Sequence, residues 1–275
     1  MTTPHDDFGA GPAIILLHGF PFNRLMWREQ LEFLSGHGYR VIAPDLRGLG
    51  ENVAETSLGD SSSSADHRLK SVPPATMEAM ARDVAALMDE LKINSAVICG
   101  LSMGCYVAFE LIQTFPSRVQ ALVLCGPRAQ GPDEAEKASR EAQAQRVLYE
   151  GMGFALESIS QNLLAAATVK DKPDVVARVT EIVLQTDPGG AAAAQRGMAA
   201  RRDYSHDLPN ITVPTLIIAG REDGVRTPAD AEAIERGIKG SLLLVIDNAG
   251  HLMNIEQPEL FNQALLDFLS GNRLS

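Results

Sequence analysis

Six short apolar runs, rich in β-branched residues and separated by segments of helical period, restrict what this chain can fold into. They are Ala13–Leu17, Arg40–Ala43, Ala96–Gly100, Val119–Leu124, Thr215–Ala219 and Leu242–Ile246, bounded by Gly, Pro or Asn. Several are apolar almost throughout, as strands buried on both faces of a parallel sheet must be. Between them, Met77, Met80, Val84, Leu87, Met88 and Leu91 recur at three- and four-residue steps, with Glu78, Arg82, Asp83 and Asp89 in the gaps. That is the pattern of an amphipathic helix. The alternation predicts an α/β fold with a doubly wound, mostly parallel sheet.

Two stretches interrupt it. Residues 51–75 are polar, Ser-rich and end in Pro73-Pro74, the composition of a mobile surface loop. Residues 127–208 are helical in pattern, rich in Ala, Glu and Gln, and contain no convincing strand. Lying between two sheet strands, they read as a helical insertion, leaving 1–126 and 209–275 as the core. A length of 275 residues suits one α/β domain carrying such a lobe.

The formal net charge of −11 argues against a nucleic-acid partner, because binding phosphates requires clustered Lys and Arg. No segment approaches the about 20 apolar residues that a membrane helix needs. Residues 1–12 lack the basic flank and apolar core of a signal peptide. Cys99, Cys105 and Cys125 are odd in number and sit among apolar neighbours, which predicts buried free thiols in a reducing cytoplasm. Nothing in the sequence fixes whether the chain is a monomer or a homo-oligomer.

Chemistry concentrates in three loops. Gly100-Leu101-Ser102-Met103-Gly104 is a G-x-S-x-G pentapeptide that follows the run AVIC and opens the helical segment CYVAFELIQTF. In so tight a strand-to-helix turn the serine is strained and its hydroxyl projects above the sheet. A Cβ on either flanking glycine would collide with strand or helix. The backbone N–H of Met103, next after the nucleophile, is placed to donate to a developing oxyanion. A serine hydroxyl needs a base to take its proton and a third group to orient that base. The loop after TLIIAG offers Glu222 and Asp223, and the loop after LLLVI offers His251. Both loops lie at the C-terminal ends of their strands, where sheets of this kind build sites. Of the six histidines only His251 follows the last strand, in a Gly-His loop; His5, His37 and His67 fall in polar or terminal stretches, His18 in the turn after the first strand, and His206 in the link leaving the insertion.

GLSMG, the His18-Gly19-Phe20-Pro21 turn, PDLRGLG, GREDGVRTP and NAGHLMNIEQP together resemble the α/β-hydrolase superfamily. The cap-bearing branch with 3-oxoadipate enol-lactone hydrolases, esterases, C–C-bond hydrolases and cofactor-free haloperoxidases is the most similar. The resemblance spans about residues 13–270 and is weakest in the insertion. It implies the triad Ser102, Asp223 and His251, with Asp223 preferred to Glu222 as the third residue after the strand-end glycine. It also implies the Phe20 N–H as the second oxyanion donor, a structural role for His18, and loop-fixing roles for Asp45 and Arg47. The expected reaction is attack on an ester or lactone carbonyl of a small, largely apolar substrate, through an acyl-enzyme that water hydrolyses. The chemistry calls for no cofactor and no metal. C–C-bond cleavage, perhydrolysis, or ligand binding without turnover are other uses of the same site.

Members of this superfamily usually open with an antiparallel hairpin. Only about a dozen residues precede Ala13, so six parallel strands are expected, with that hairpin shortened or missing. The acyl pocket is expected between sheet and insertion, lined by Phe20, Phe22, Trp27, Leu101, residues of the insertion, and Leu252, although Phe22 and Trp27 also suit plain packing. Arg128 has two readings, a partner for a substrate carboxylate or a solvated loop cation.

Overall fold

The computed structural model describes residues 3–53, 75–156 and 159–272. Most of the Ser-rich stretch, residues 54–74, lies outside them. All six expected strands form, each within two residues of the sequence boundaries: β2 (Ala13–Leu17), β3 (Arg40–Pro44), β4 (Ala96–Leu101), β5 (Val119–Cys125), β6 (Thr215–Gly220) and β7 (Leu242–Ile246). They run parallel to one another. A seventh strand, β1 (His5–Phe8), adds to the edge antiparallel to β3, giving the order β1-β3-β2-β4-β5-β6-β7. The early hairpin is thus shortened to one strand of four residues among those described. β1 reads HDDF and lacks an apolar run; its acids bind across the edge instead, Asp7 to Arg40 at 2.6 Å and Asp6 to Arg24 at 3.2 Å.

Alternation along each strand divides the core into two layers. Ile15 and Leu17 of β2 face α2 (Met77–Glu90), α3 (Met103–Thr114) and α8 (Pro228–Gly237). Ile14 and Leu16 face α1 (Arg28–Gly36), α10 (Pro258–Gly271) and part of the insertion. Every residue of β4 and β6 is buried, which requires helices on both faces. Two of these helices start at side-chain caps: Thr76 Oγ1 accepts from Ala79 N–H at 3.2 Å ahead of α2, and Thr227 with Asp230 forms a capping box ahead of α8.

The chain between β5 and β6 is helical: α4 (Glu134–Glu150), α5 (Ala166–Asp171), α6 (Pro173–Leu184) and α7 (Pro188–Ala199), with a π-turn at Ile159–Leu163. Asp133 caps α4, accepting from Glu136 N–H at 2.7 Å. Arg196 of α7 grips Glu141 of α4 at 2.7 Å, and Arg178 of α6 pairs with Glu29 of α1, so the insertion is tied to itself and to the core. One short helix, α9 (Met253–Glu256), follows β7.

Candidate active site

Ser102 sits between the last residue of β4 and the first of α3 with φ 53° and ψ −108°. A non-glycine residue there costs on the order of 1–3 kcal/mol, retained only where the surroundings enforce it. Two contacts enforce it: Ser102 N–H donates to Cys125 O at 2.8 Å, and Cys105 N–H donates to Ser102 O at 3.0 Å. The flanking glycines have no alternative. A Cβ on Gly100 would lie 2.4 Å from Gly104 O, and one on Gly104 would lie 2.2 Å from Leu17 O.

Asp223 and His251 come together from the loops after β6 and β7. His251 Nδ1 donates to Asp223 Oδ2 at 2.7 Å, with both side chains buried. The other carboxylate oxygen, Oδ1, accepts from the N–H groups of Val225 and Arg226, each at 2.8 Å. Both oxygens are therefore committed, and the acid can neither rotate nor drift. Glu222 points elsewhere, its Oε2 accepting from Ala166 N–H at 3.2 Å. Asp247 lies exposed on the surface, paired with Arg221.

Two residues not anticipated from the sequence support this pair. Gly126, just after β5, has φ +53°, and a Cβ on it would lie 3.0 Å from His251 Cε1 and Nδ1. A bare glycine lets the imidazole lie against the backbone; its only signal was a glycine directly after a strand. Glu256 is fully buried and accepts from Gly250 N–H at 2.8 Å and from Ala165 N–H at 2.7 Å. Burial pushes its carboxyl above the usual range, against the pull of those N–H donors. It joins the His251 loop to the insertion. His251 N–H, donating to Leu163 O at 2.8 Å, does the same.

Ser102 and His251 open onto one cavity of about 730 Å³, bounded on its far side by α4, α6 and α7. Phe20 and Arg128 line it as the sequence suggested. Phe22, Trp27, Leu101 and Leu252 are not among its lining residues: all four are fully buried in the layer beneath. Trp27 packs on Phe261, ring centroids 6.2 Å apart. Residues of the insertion line it as well, Gln143, Val147 and Val183 among them. The side chain of Met103 is buried as well, leaving its main chain as the part relevant to the site.

The supporting residues behave as structure. His18 donates from Nδ1 to Gly19 O at 3.0 Å and accepts at Nε2 from Leu46 N–H at 2.9 Å. Accepting at Nε2 requires the neutral ring, and burial lowers its pKa accordingly, more than Asp45 nearby raises it. Buried Asp45 accepts from Arg24 N–H at 2.9 Å and Glu51 N–H at 2.8 Å, and Arg47 pairs with Asp83 at 2.7 Å, fixing the loop after β3. The three cysteines are free and buried. Burial raises the Cys105 thiol, which donates to Gly100 O at 3.1 Å, so it is a packing group beside the elbow. Among the described residues no cluster of His, Cys, Asp or Glu forms a metal site, and no helix is long and apolar enough to cross a membrane.

A parallel sheet with a strained serine after its central strand, and an Asp–His pair on two later strand-end loops, defines a hydrolase scaffold. The chain matches the model of the α/β hydrolase fold over residues 12–258 and belongs to that family. It is 29% identical to 3-oxoadipate enol-lactonase 2 of Acinetobacter baylyi, over 92% of this chain and 87% of that one. Among solved structures it is similar to a thermophilic esterase from Thermogutta terrifontis in a malate-bound form. That match has 37% identity, a TM-score of 0.88, and covers 98% and 97% of the two chains. The enol-lactonase from Burkholderia xenovorans matches at 28% identity and a TM-score of 0.82, covering 97% and 96%.

Proposed function

We propose that this chain is a serine hydrolase of a small carboxylic ester or lactone, working through an acyl-enzyme on Ser102. The observation that carries the reading is the 2.7 Å bond from His251 Nδ1 to Asp223 Oδ2, with His251 and Ser102 on the same cavity. Because Nδ1 is engaged, Nε2 is the ring nitrogen left to take the Ser102 proton as the oxygen attacks the carbonyl carbon. Asp223 stabilises the imidazolium so formed. The N–H groups of Phe20 and Met103 receive the developing oxyanion, an arrangement in which one donor is typically worth about 10²–10³ in turnover. His251 returns the proton to the leaving alcohol, and water hydrolyses the ester on Ser102. Residues 127–208 act as a cap over the core 1–126 and 209–275. The relatives named as enol-lactonases and as an esterase support the substrate class. Three buried, unpaired thiols fit a reducing cytoplasm.

The test is release of p-nitrophenol from acetate, butyrate and octanoate esters, alongside ring opening of simple lactones. Turnover of at least one class is expected. No turnover of any ester or lactone would remove this reading.

A further inference from the structure

Four arginines converge on one carboxylate in the wall of the cavity. Glu136, in the first turn of α4, accepts from Arg140 Nη2 at 2.8 Å, Arg201 Nη1 at 3.0 Å and Arg128 Nη1 at 3.4 Å, and Arg226 Nη2 lies 3.9 Å away. Arg128, Arg140, Arg226 and Glu136 all line the cavity, while the Arg201 side chain is wholly inaccessible behind them. The other acid on the lining, Asp133, is engaged at the N-terminus of α4. Another lining cation, Arg146, is paired with Glu150 at 2.9 Å. The cluster is thus four cations around one carboxylate, with Asp230 a further negative charge acting on Arg226, in a protein of formal charge −11.

Burying cations without counter-charge is costly. Arg140 Nη1 donates to the neutral Gln195 Oε1 at 3.0 Å, and Arg226 Nη2 donates to Tyr106 Oη at 3.0 Å; burial opposes the charge of Arg226, but Tyr106, Glu136 and Asp230 outweigh it and raise its pKa. The Nε atoms of Arg128, Arg201 and Arg226 are buried with no acceptor. Burial lowers the pKa of Arg140 even with Tyr106 and Glu136 alongside. Burial of Glu136 opposes its ionisation, but the bonds from Arg201 and Arg140 outweigh that and hold its carboxyl at about 2. Glu136 is therefore already a full negative charge near neutral pH and has no more to give.

The position relates this surplus to the reaction. Tyr106 lies one turn beyond Ser102 on α3, roughly 6 Å along the axis. Arg226 follows Asp223 by three residues and donates its N–H to that acid. The cluster faces the same cavity as the nucleophile.

We propose that Arg128, Arg140 and Arg226 form a carboxylate subsite, and that the ester cleaved carries a second, ionised carboxylate, as a monoester of a short dicarboxylic acid does. This rests on the hydrolase reading above. Guanidinium groups suit it because each presents several N–H donors in the plane a carboxylate accepts.

The experiment compares kcat/KM for monomethyl adipate with that for methyl hexanoate, which replaces the distal carboxylate by a methyl group. At least about tenfold preference for the adipate ester is expected at low salt, shrinking as salt is added. Within each variant the ratio of the two esters is read, so a general loss of activity cancels. Arg140→Met brings the ratio toward one; Glu136→Gln, which removes the competing anion, raises it. A wild-type ratio of one or below, with methyl hexanoate still cleaved, overturns the subsite and leaves the hydrolase reading intact. Should neither ester be cleaved, the p-nitrophenyl esters and lactones decide the hydrolase reading, and adipate binding by calorimetry decides the subsite alone. Heat with wild type that Arg140→Met abolishes supports it, and no heat at about 10 mM adipate overturns it.

Discussion

Ser102→Ala is expected to lower kcat/KM for any cleaved ester by about 10⁴–10⁶ while leaving the melting temperature within about 2 °C of wild type. The two halves of that result have separate causes. The rate falls because the acyl-enzyme cannot form; what remains is water attacking a substrate still held by the cavity and the oxyanion donors. Stability is kept because the forces on residue 102 act through its main chain, by the bonds to Cys125 O and from Cys105 N–H. Alanine keeps the Cβ and meets the same positive φ of 53°. Kinetics and a calorimetric scan on one preparation provide the check. Retention of more than a tenth of the activity would displace Ser102 from its role.

Gly104→Val is expected to fail in the opposite way, by losing the fold. A Cβ at residue 104 would sit 2.2 Å from Leu17 O and 2.8 Å from Leu17 C. Both are backbone atoms of β2, which pairs with β3 on one side and β4 on the other and cannot retreat. Overpacking of this kind costs about 3–5 kcal/mol or more, against a total stability on the order of 5–15 kcal/mol. The expected outcome is a melting temperature lower by about 10 °C or more, or recovery only in the insoluble fraction. A variant that melts with wild type would show that α3 is not held against β2 at Leu17.

The contrast between these residues reflects what the sequence encodes openly. Strands β2 to β7 were legible because burial on both faces demands unbroken apolar runs, and AIILL or TLIIA admits little else. β1 was not, because an edge strand with half-exposed acids carries no such run and is held by Arg24 and Arg40, far away in sequence. The pairing of Asp223 with His251 was legible because neighbouring parallel strands deliver their following loops to one rim. Lining residues chosen for their nearness to a motif fared worse: Phe22, Trp27, Leu101 and Leu252 are packed beneath the cavity. The helical stretch EAEKASREAQAQRVL has the charge pattern of a solvated face, yet Glu136, Arg140 and Gln143 turn to the cavity. Which face of an inserted helix meets the core depends on how the helices dock, and α4 has too few apolar residues to announce it.

Covalent trapping tests the proposed acyl-enzyme most directly. The protein is incubated with a fluorophosphonate, digested, and the modified peptide sequenced by mass spectrometry. The expected result is a single adduct on Ser102, absent from Ser102→Ala and formed far more slowly by His251→Ala. Continued ester hydrolysis by a protein that carries no adduct, or carries it on another residue, would contradict a nucleophilic role for Ser102.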